Sequence, residues 1–306
     1  MDPLFLQYCW ILGGCLLAAA AGIAIAGLAG RNVARVWPTY RSWLVIIPLA
    51  MAMIYLGPIA VTIGFAALSL VGCYEYARAT SLTTHRSNMI VMGLLVVFTY
   101  VAPLLSGVVG QGGGWSLFAA MPVIAIVMLF AARVVRNQSE DGLTAVSLAL
   151  VGFLLVGWML AHTAWIAHSP HATGLLLFLL FAVETTDIAA FTFGSLLGRH
   201  PLCPAVSPNK TWEGAIGALA VALALPWLLR FSFPSDFHWA QLLLVGLSVG
   251  VGGQLGDLSV SLIKRSVGVK DMGTAIPGHG GVLDRIDSLL FAAPMYYYSI
   301  GTLAGT

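Results

Sequence analysis

Charged side chains are what this sequence has least of. Only 8% of its 306 residues are Asp, Glu, Lys or Arg, against about 25% in an ordinary soluble domain. With 59% of residues hydrophobic and a mean hydropathy of +0.93, a water-soluble fold would have too little polar surface to cover itself. Disorder, a collagen-like chain and a soluble dinucleotide-binding enzyme are excluded on the same ground. Charge of one sign is also missing: 14 basic against 12 acidic residues leave +2, too weak a field to attract nucleic acid. The four cysteines, Cys9, Cys15, Cys73 and Cys203, form no CxxC pair. Each lies in or beside an apolar run, where the thiol behaves as a small hydrophobe. Residues 1–8 contain Asp2 but no Lys or Arg, so the stretch before Cys15 lacks the positive start of a secretory signal and reads as a first membrane span. What remains is an all-α, polytopic integral membrane protein.

A helix crosses the bilayer with ~20 mainly apolar residues. Such runs lie near 8–29, 43–56, 58–75, 88–108, 115–135, 143–167, 173–197, 214–231, 239–260 and 289–304. No fixed-period repeat or low-complexity linker interrupts them. The Gly-rich stretch 110–114 reads as a turn and follows no strand, so it is no dinucleotide fingerprint. The count depends on Gly57-Pro58, because proline breaks the helical hydrogen bond at its position. Two short crossings there give ten transmembrane helices, and one kinked helix gives nine. With ten, 13 of the 14 basic residues fall on one side and only Arg230 opposite; with nine the division is 10 against 4. The positive-inside rule favours ten, with both termini outside the cytoplasm.

The acids are unevenly placed: eight of the twelve lie in the last 123 residues. Glu184 and Asp187 fall inside an apolar run, where a carboxylate costs ~2.5–3.5 kcal/mol on insertion scales and needs a partner or a wet cavity. Their i, i+3 spacing puts both on one helical face; a hydrogen-bonded packing pair is the plainer alternative. Asp257 follows Gly252 and Gly256, whose small-xxx-small spacing permits close helix approach and suits packing better than phosphate binding. The densest polar stretch runs from Ser261 to Ser288 and alternates Lys264, Arg265, Lys270 and Arg285 with Asp271, Asp284 and Asp287, divided by His279-Gly280-Gly281. A solvated loop, or acids favoured at a helix N-terminus, is the ordinary explanation for parts of it. The combination as a whole suits phosphate plus a divalent cation. Mg²⁺ is usually held by one or two carboxylates together with substrate phosphates, Lys and Arg cover the remaining phosphate charge, and a Gly-Gly turn lets backbone N–H groups approach an anion. Lys210, in the polar run Ser207-Pro208-Asn209-Lys210-Thr211, reaches the same expected membrane face, as phosphate ligand or as positive-inside anchor. These groups point to metal-assisted chemistry on a phosphorylated, cytosol-supplied substrate beside lipid.

At these residues the sequence closely resembles the phosphatidate cytidylyltransferases, or CDP-diacylglycerol synthases. Their C-terminal signature is matched at every fixed element from Ser261 to Asp287, through Lys264-Arg265, Lys270-Asp271, Pro277, His279-Gly280-Gly281 and Asp284-Arg285-Ile286-Asp287. Gly256-Asp257-Leu258, the run 207–214, and Asp187 ahead of Gly194 and Gly198-Arg199 are similar to further family elements, and Tyr74-Glu75-Tyr76 is a weaker one. The likeness covers about 184–288, a third of the chain. One departure is Phe191 in Asp187-Ile188-Ala189-Ala190-Phe191, where the family often has tyrosine; the lost hydroxyl puts a hydrogen bond near Asp187 in question.

The resemblance implies the reaction CTP + phosphatidate → CDP-diacylglycerol + pyrophosphate, requiring Mg²⁺, with K⁺ as a second ion. It implies N-terminal transmembrane helices over 1–170 and a C-terminal catalytic region with cytoplasmic loops over 171–306. Asp257, Asp284 and Asp287, assisted by Asp187, are expected to hold the metal centre, with Asp257, Lys264, Asp284 and Asp287 as the catalytic group. Substrate phosphates and nucleotide are expected on Ser207, Lys210, Thr211, Arg265, Lys270, His279, Gly280, Gly281 and Arg285, and Glu184 and Glu213 are expected to orient neighbours. The expected setting is the bacterial inner membrane with the site on the cytoplasmic side; a homodimer is one assembly it allows. Two other readings stay open: a related transferase using another lipid phosphate, and an ion or phosphate transporter, since buried carboxylates also mark ion pathways.

Overall fold

The computed structural model describes residues 2–30, 33, 36–109, 111–274 and 280–301. Its helices are α1 (Pro3–Leu28), α2 (Trp37–Leu56), α3 (Pro58–Ala79), α4 (Arg86–Val109), α5 (Gln111–Val134), α6 (Gly142–Gly152), α7 (His162–Ala167), α8 (Ala172–Leu197), α9 (Trp212–Leu228), α10 (Trp239–Ser266) and α11 (Leu283–Gly301). Among the described residues eight helical stretches are long and apolar enough to cross a bilayer, α6 and α7 forming one of them. With the shorter α9, and with α11, whose start carries Asp284, Arg285 and Asp287, they account for the ten apolar segments of the sequence. The protein is all-α and polytopic.

Gly57 decides the ambiguous run. Its φ of +97° is open to glycine and closed to most other residues; it ends α2, and Pro58 opens α3 at the first helical position, where a missing N–H goes unused. The run 43–75 is therefore two helices. The span 143–167 is continuous but irregular: α6 passes through a π-helical stretch, Phe153–Met159, before α7. Widening the helix shifts its carbonyls out of register, and α3 supplies partners. Ser69 donates to the Val156 carbonyl at 2.8 Å, and the Cys73 thiol faces that of Gly152 at 3.8 Å.

Three expectations are corrected. Residues 111–114 begin α5 and make no turn. Gly114 is small for a packing reason, since a Cβ there would strike the Ala102 carbonyl of α4. The connection 198–213 contains an antiparallel hairpin, β1 (Pro201–Cys203) and β2 (Ser207–Thr211). Its turn is closed by Val206 N–H to the Cys203 carbonyl at 3.1 Å, with Pro204 second in the turn, the position its fixed φ favours. Finally, the polar stretch 261–288 is mostly helical at its ends. α10 runs on to Ser266, so Lys264 and Arg265 occupy its last turn and oppose the helix dipole, while α11 starts at Leu283. The exceptional Arg230 is engaged locally, both Nη groups donating to the carbonyls of Phe233, Pro234, Ser235 and Phe237.

The most extensive helix contacts are α10 against α11, α8 against α9 and α4 against α5, with α10 also lying against α9 and α8. The most apolar window of α1 buries nothing; that helix is held near its start, where buried Tyr8 shares a 2.7 Å hydrogen bond with Ser232.

Candidate active site

The site begins with a contact between two backbones. Where α10 crosses α11, a Cβ on Gly252 would overlap the backbone of Ala292, and one on Gly256 would overlap the carbonyl of Asp287. The glycines at 252 and 256 are thus packing residues, as their spacing indicated. Their effect is to bring Asp257 on α10 beside Asp287 on α11. The third helix, α8, is joined by Ser288, whose hydroxyl donates to Asp187 Oδ2 at 2.9 Å and whose N–H donates to Asp287 Oδ1 at 2.8 Å. Asp287 lies within electrostatic reach of Asp257, Asp187 and Lys264, and Asp187 within reach of Asp257, Lys210 and Arg285. Glu184, one turn earlier on α8, is near Asp187 and Arg285.

Two lysines face this carboxylate group. The hairpin carries Lys210, whose Nζ is 2.5 Å from Asp257 Oδ2; the Ser261 hydroxyl donates to the other oxygen at 3.2 Å. The hairpin is itself fixed at three points. Thr211 caps α9 by accepting from Gly214 N–H at 3.2 Å. Arg265 Nε donates to the Val206 carbonyl at 3.3 Å. Glu213 accepts from the N–H groups of Arg199 and His200 and lies 2.6 Å from His200 Nδ1. Ser207 pairs with Cys203 across the strands.

The second lysine, Lys264, sits 2.9 Å from Asp284 Oδ1, with Asp284 buried and Lys264 largely so. Asp284 Oδ2 accepts from Met272 N–H and Gly281 N–H, each at 2.9 Å. All of its oxygens are thereby engaged by protein donors. Gly280 takes φ +80° beside this carboxylate. Lys270 and Arg285 are exposed at the rim, and His279 and Pro277 lie outside the described residues. Phe191 is 76% exposed on the outer flank of α8, so the place of the family tyrosine is away from the buried polar groups.

The sequence reading left Glu75 off its list of site residues. This side chain of α3 is 6% exposed, and it accepts from Val282 N–H at 3.0 Å and Leu283 N–H at 2.8 Å, at the start of α11. The signal was present: Glu75 is a carboxylate inside an apolar run, the same anomaly that singled out Glu184 and Asp187.

The donor chemistry fits a hard dication that shares its ligands with a substrate. Asp187, Asp257 and Asp287 offer only oxygen near one another, with lysines beside them to balance phosphate. Among the described residues no three His, Cys, Asp or Glu side chains lie close enough to hold an ion by themselves. Mg²⁺ needs no such cage when phosphate oxygens complete its shell.

Similarity to known proteins agrees with this arrangement. Residues 37–303 match the cytidylyltransferase family. An uncharacterized protein, YnbB, of Escherichia coli is 34% identical over 266 residues, covering 85% of each chain. A phosphatidate cytidylyltransferase of Staphylococcus haemolyticus is 34% identical over 200 residues, 65% of this chain and 76% of the relative. That of Bacillus subtilis is 29% identical over 247 residues, 80% of this chain and 90% of the relative. The family match takes in the hairpin, the α10–α11 crossing and Glu75 alike, and on its extent this chain belongs to the cytidylyltransferase family.

Proposed function

We propose that the protein is a phosphatidate cytidylyltransferase, forming CDP-diacylglycerol and pyrophosphate from CTP and phosphatidate at the cytoplasmic face of a bacterial inner membrane. The observation that carries this reading is the meeting of Asp187, Asp257 and Asp287 with Lys210 and Lys264 at one end of a membrane bundle. The one-sided distribution of basic residues supports the cytoplasmic placement.

A phosphate oxygen of phosphatidate attacks the α-phosphorus of CTP, a new P–O bond forms, and the bond to the β-phosphate breaks with release of pyrophosphate. The nucleophile is already ionised near neutral pH, so no strong base is required. The residues act by positioning and by neutralising charge. Asp187, Asp257 and Asp287 would hold Mg²⁺, with K⁺ as a second ion. When bound, the cations stabilise negative charge on the reacting phosphates. Lys210, released from Asp257, turns to the triphosphate. Lys264 is held by Asp284 so that its ammonium stays aimed across the site, and Asp284 serves to orient it. Ser207, Thr211, Arg265, Lys270, His279, Gly280, Gly281 and Arg285 remain the proposed surroundings of the nucleotide and lipid phosphate. The acyl chains stay in the bilayer.

A second reading takes another lipid phosphate as acceptor, since the lipid-facing helices carry no readable code for the chain attached to the phosphate. Purified protein given radiolabelled CTP, Mg²⁺ and either phosphatidate or a polyprenyl phosphate decides between them. Label in CDP-diacylglycerol with matching pyrophosphate release is the expected result. Label only in the polyprenyl product would transfer the assignment, and no label in either would refute nucleotidyl transfer.

A further inference from the structure

We infer that Glu75 is a positioning residue for the cytidylyl-transfer site: from α3, it fixes the turn that precedes α11 and with it the aim of Lys264. The inference rests on the proposed reaction for its kinetic consequence and on geometry alone for its structural one. Both Glu75 oxygens are used, Oε1 by Val282 N–H and Oε2 by Leu283 N–H. These amides open α11, where unpaired N–H groups and the helix dipole favour a carboxylate. Glu75 makes no contact with Lys210, Asp257 or Asp187 in the bonds that define the site, so its influence passes through the turn.

The turn is shaped around this carboxylate. A Cβ on Gly273 would collide first with the Glu75 side chain, and one on Gly281 would collide with the Glu75 carboxylate and with Gly273 N. Gly273 and Gly281 thus both close over one side chain from a distant helix. The backbone on either side supplies the donors for Asp284, Met272 N–H and Gly281 N–H, and Asp284 in turn holds Lys264. The chain of contacts is Glu75, turn backbone, Asp284, Lys264. Charge matters as well as shape, because a neutral amide at position 75 would set an N–H₂ donor against one of two backbone donors and weaken the other bond.

Three measurements on the full-length protein in bilayer nanodiscs test this. Glu75→Gln is expected to raise hydrogen–deuterium exchange at amides 280–284 at least tenfold while the middle of α10 stays protected, an outcome independent of turnover. It is expected to lower kcat for CDP-diacylglycerol formation about 10- to 100-fold with KM for CTP changed less than threefold, as displacement of a reacting group by ~1 Å does. Gly273→Ala is expected to lower kcat in the parent chain and to add no further loss to Glu75→Gln, since both disturb one contact. Unchanged exchange at 280–284 overturns the inference. So does an activity loss that tracks only the fraction of folded protein, or strict additivity of the two substitutions. If the parent chain forms no product, the proposed reaction fails, and the exchange measurement still decides the role of Glu75.

Discussion

Lys264–Asp284 and Lys210–Asp257 are the same chemical pair in two settings. In the first, the side chains are 12% and 5% exposed, and the carboxylate is saturated by two backbone donors. In the second they are 26% and 28% exposed, and only the Ser261 hydroxyl assists. A buried, fully bonded pair resists exchange because breaking it strands a charge away from water. A half-wet pair is held by little more than its Coulomb attraction. In the proposed reaction the contrast divides the labour: Lys264 is a fixture, whereas Lys210 and Asp257 would trade each other for a phosphate and a cation.

Substitutions sharpen the contrast, the largest effect first. Asp284→Ala leaves Lys264 and two backbone N–H groups without their acceptor and is expected to cost ~3–5 kcal/mol of stability, read as a lowered unfolding temperature in detergent micelles. A variant that melts with the parent would remove the distinction between the pairs. Asp257→Asn should melt within ~1 kcal/mol of the parent yet release pyrophosphate about 100-fold more slowly, ~2.7 kcal/mol of lost transition-state stabilisation. Equal losses of stability at 257 and 284 would make both pairs structural. Lys210→Ala should raise KM for CTP about tenfold, ~1.4 kcal/mol, and the difference from the parent should narrow at high salt, where exposed charges are screened. Ser261→Ala, removing one 3.2 Å hydrogen bond to Asp257, should change turnover by about two- to fivefold, under ~1 kcal/mol.

The spans and the late acids were legible because both follow from one rule, that the bilayer tolerates apolar runs and penalises charge. The Gly252–Gly256 spacing carried enough information to foresee a close crossing, and α10 and α11 do meet there. Other features were hidden for identifiable reasons. The hairpin at 201–211 is three and five residues long, too short for alternation to register. The π-helical stretch in 153–159 has ordinary apolar composition, and the α3 side chains that meet carbonyls in and beside it, Ser69 and Cys73, are distant in sequence. For Glu75 the carboxylate inside an apolar run was visible but its role was not, because its partners are backbone N–H groups 207 and 208 residues away and no sequence pattern advertises a main-chain donor. The engagement of Asp284 by Lys264 depends in the same way on α10 continuing past its apolar run to Ser266.

The glycine contact between α10 and α11 bears on how the enzyme tolerates different lipid surroundings. With no side chains between the two backbones there is no compressible layer, so the spacing of Asp257 and Asp287 is set by carbonyl and Cα radii. A thicker or thinner bilayer is accommodated by helix tilt at a modest cost per ångström, and the loosely attached α1, anchored chiefly near Tyr8, can adjust independently of that crossing. Under the proposed reaction, chemistry at the rim would thereby be insulated from membrane thickness, a useful property for a catalyst whose product would alter the composition of the membrane around it.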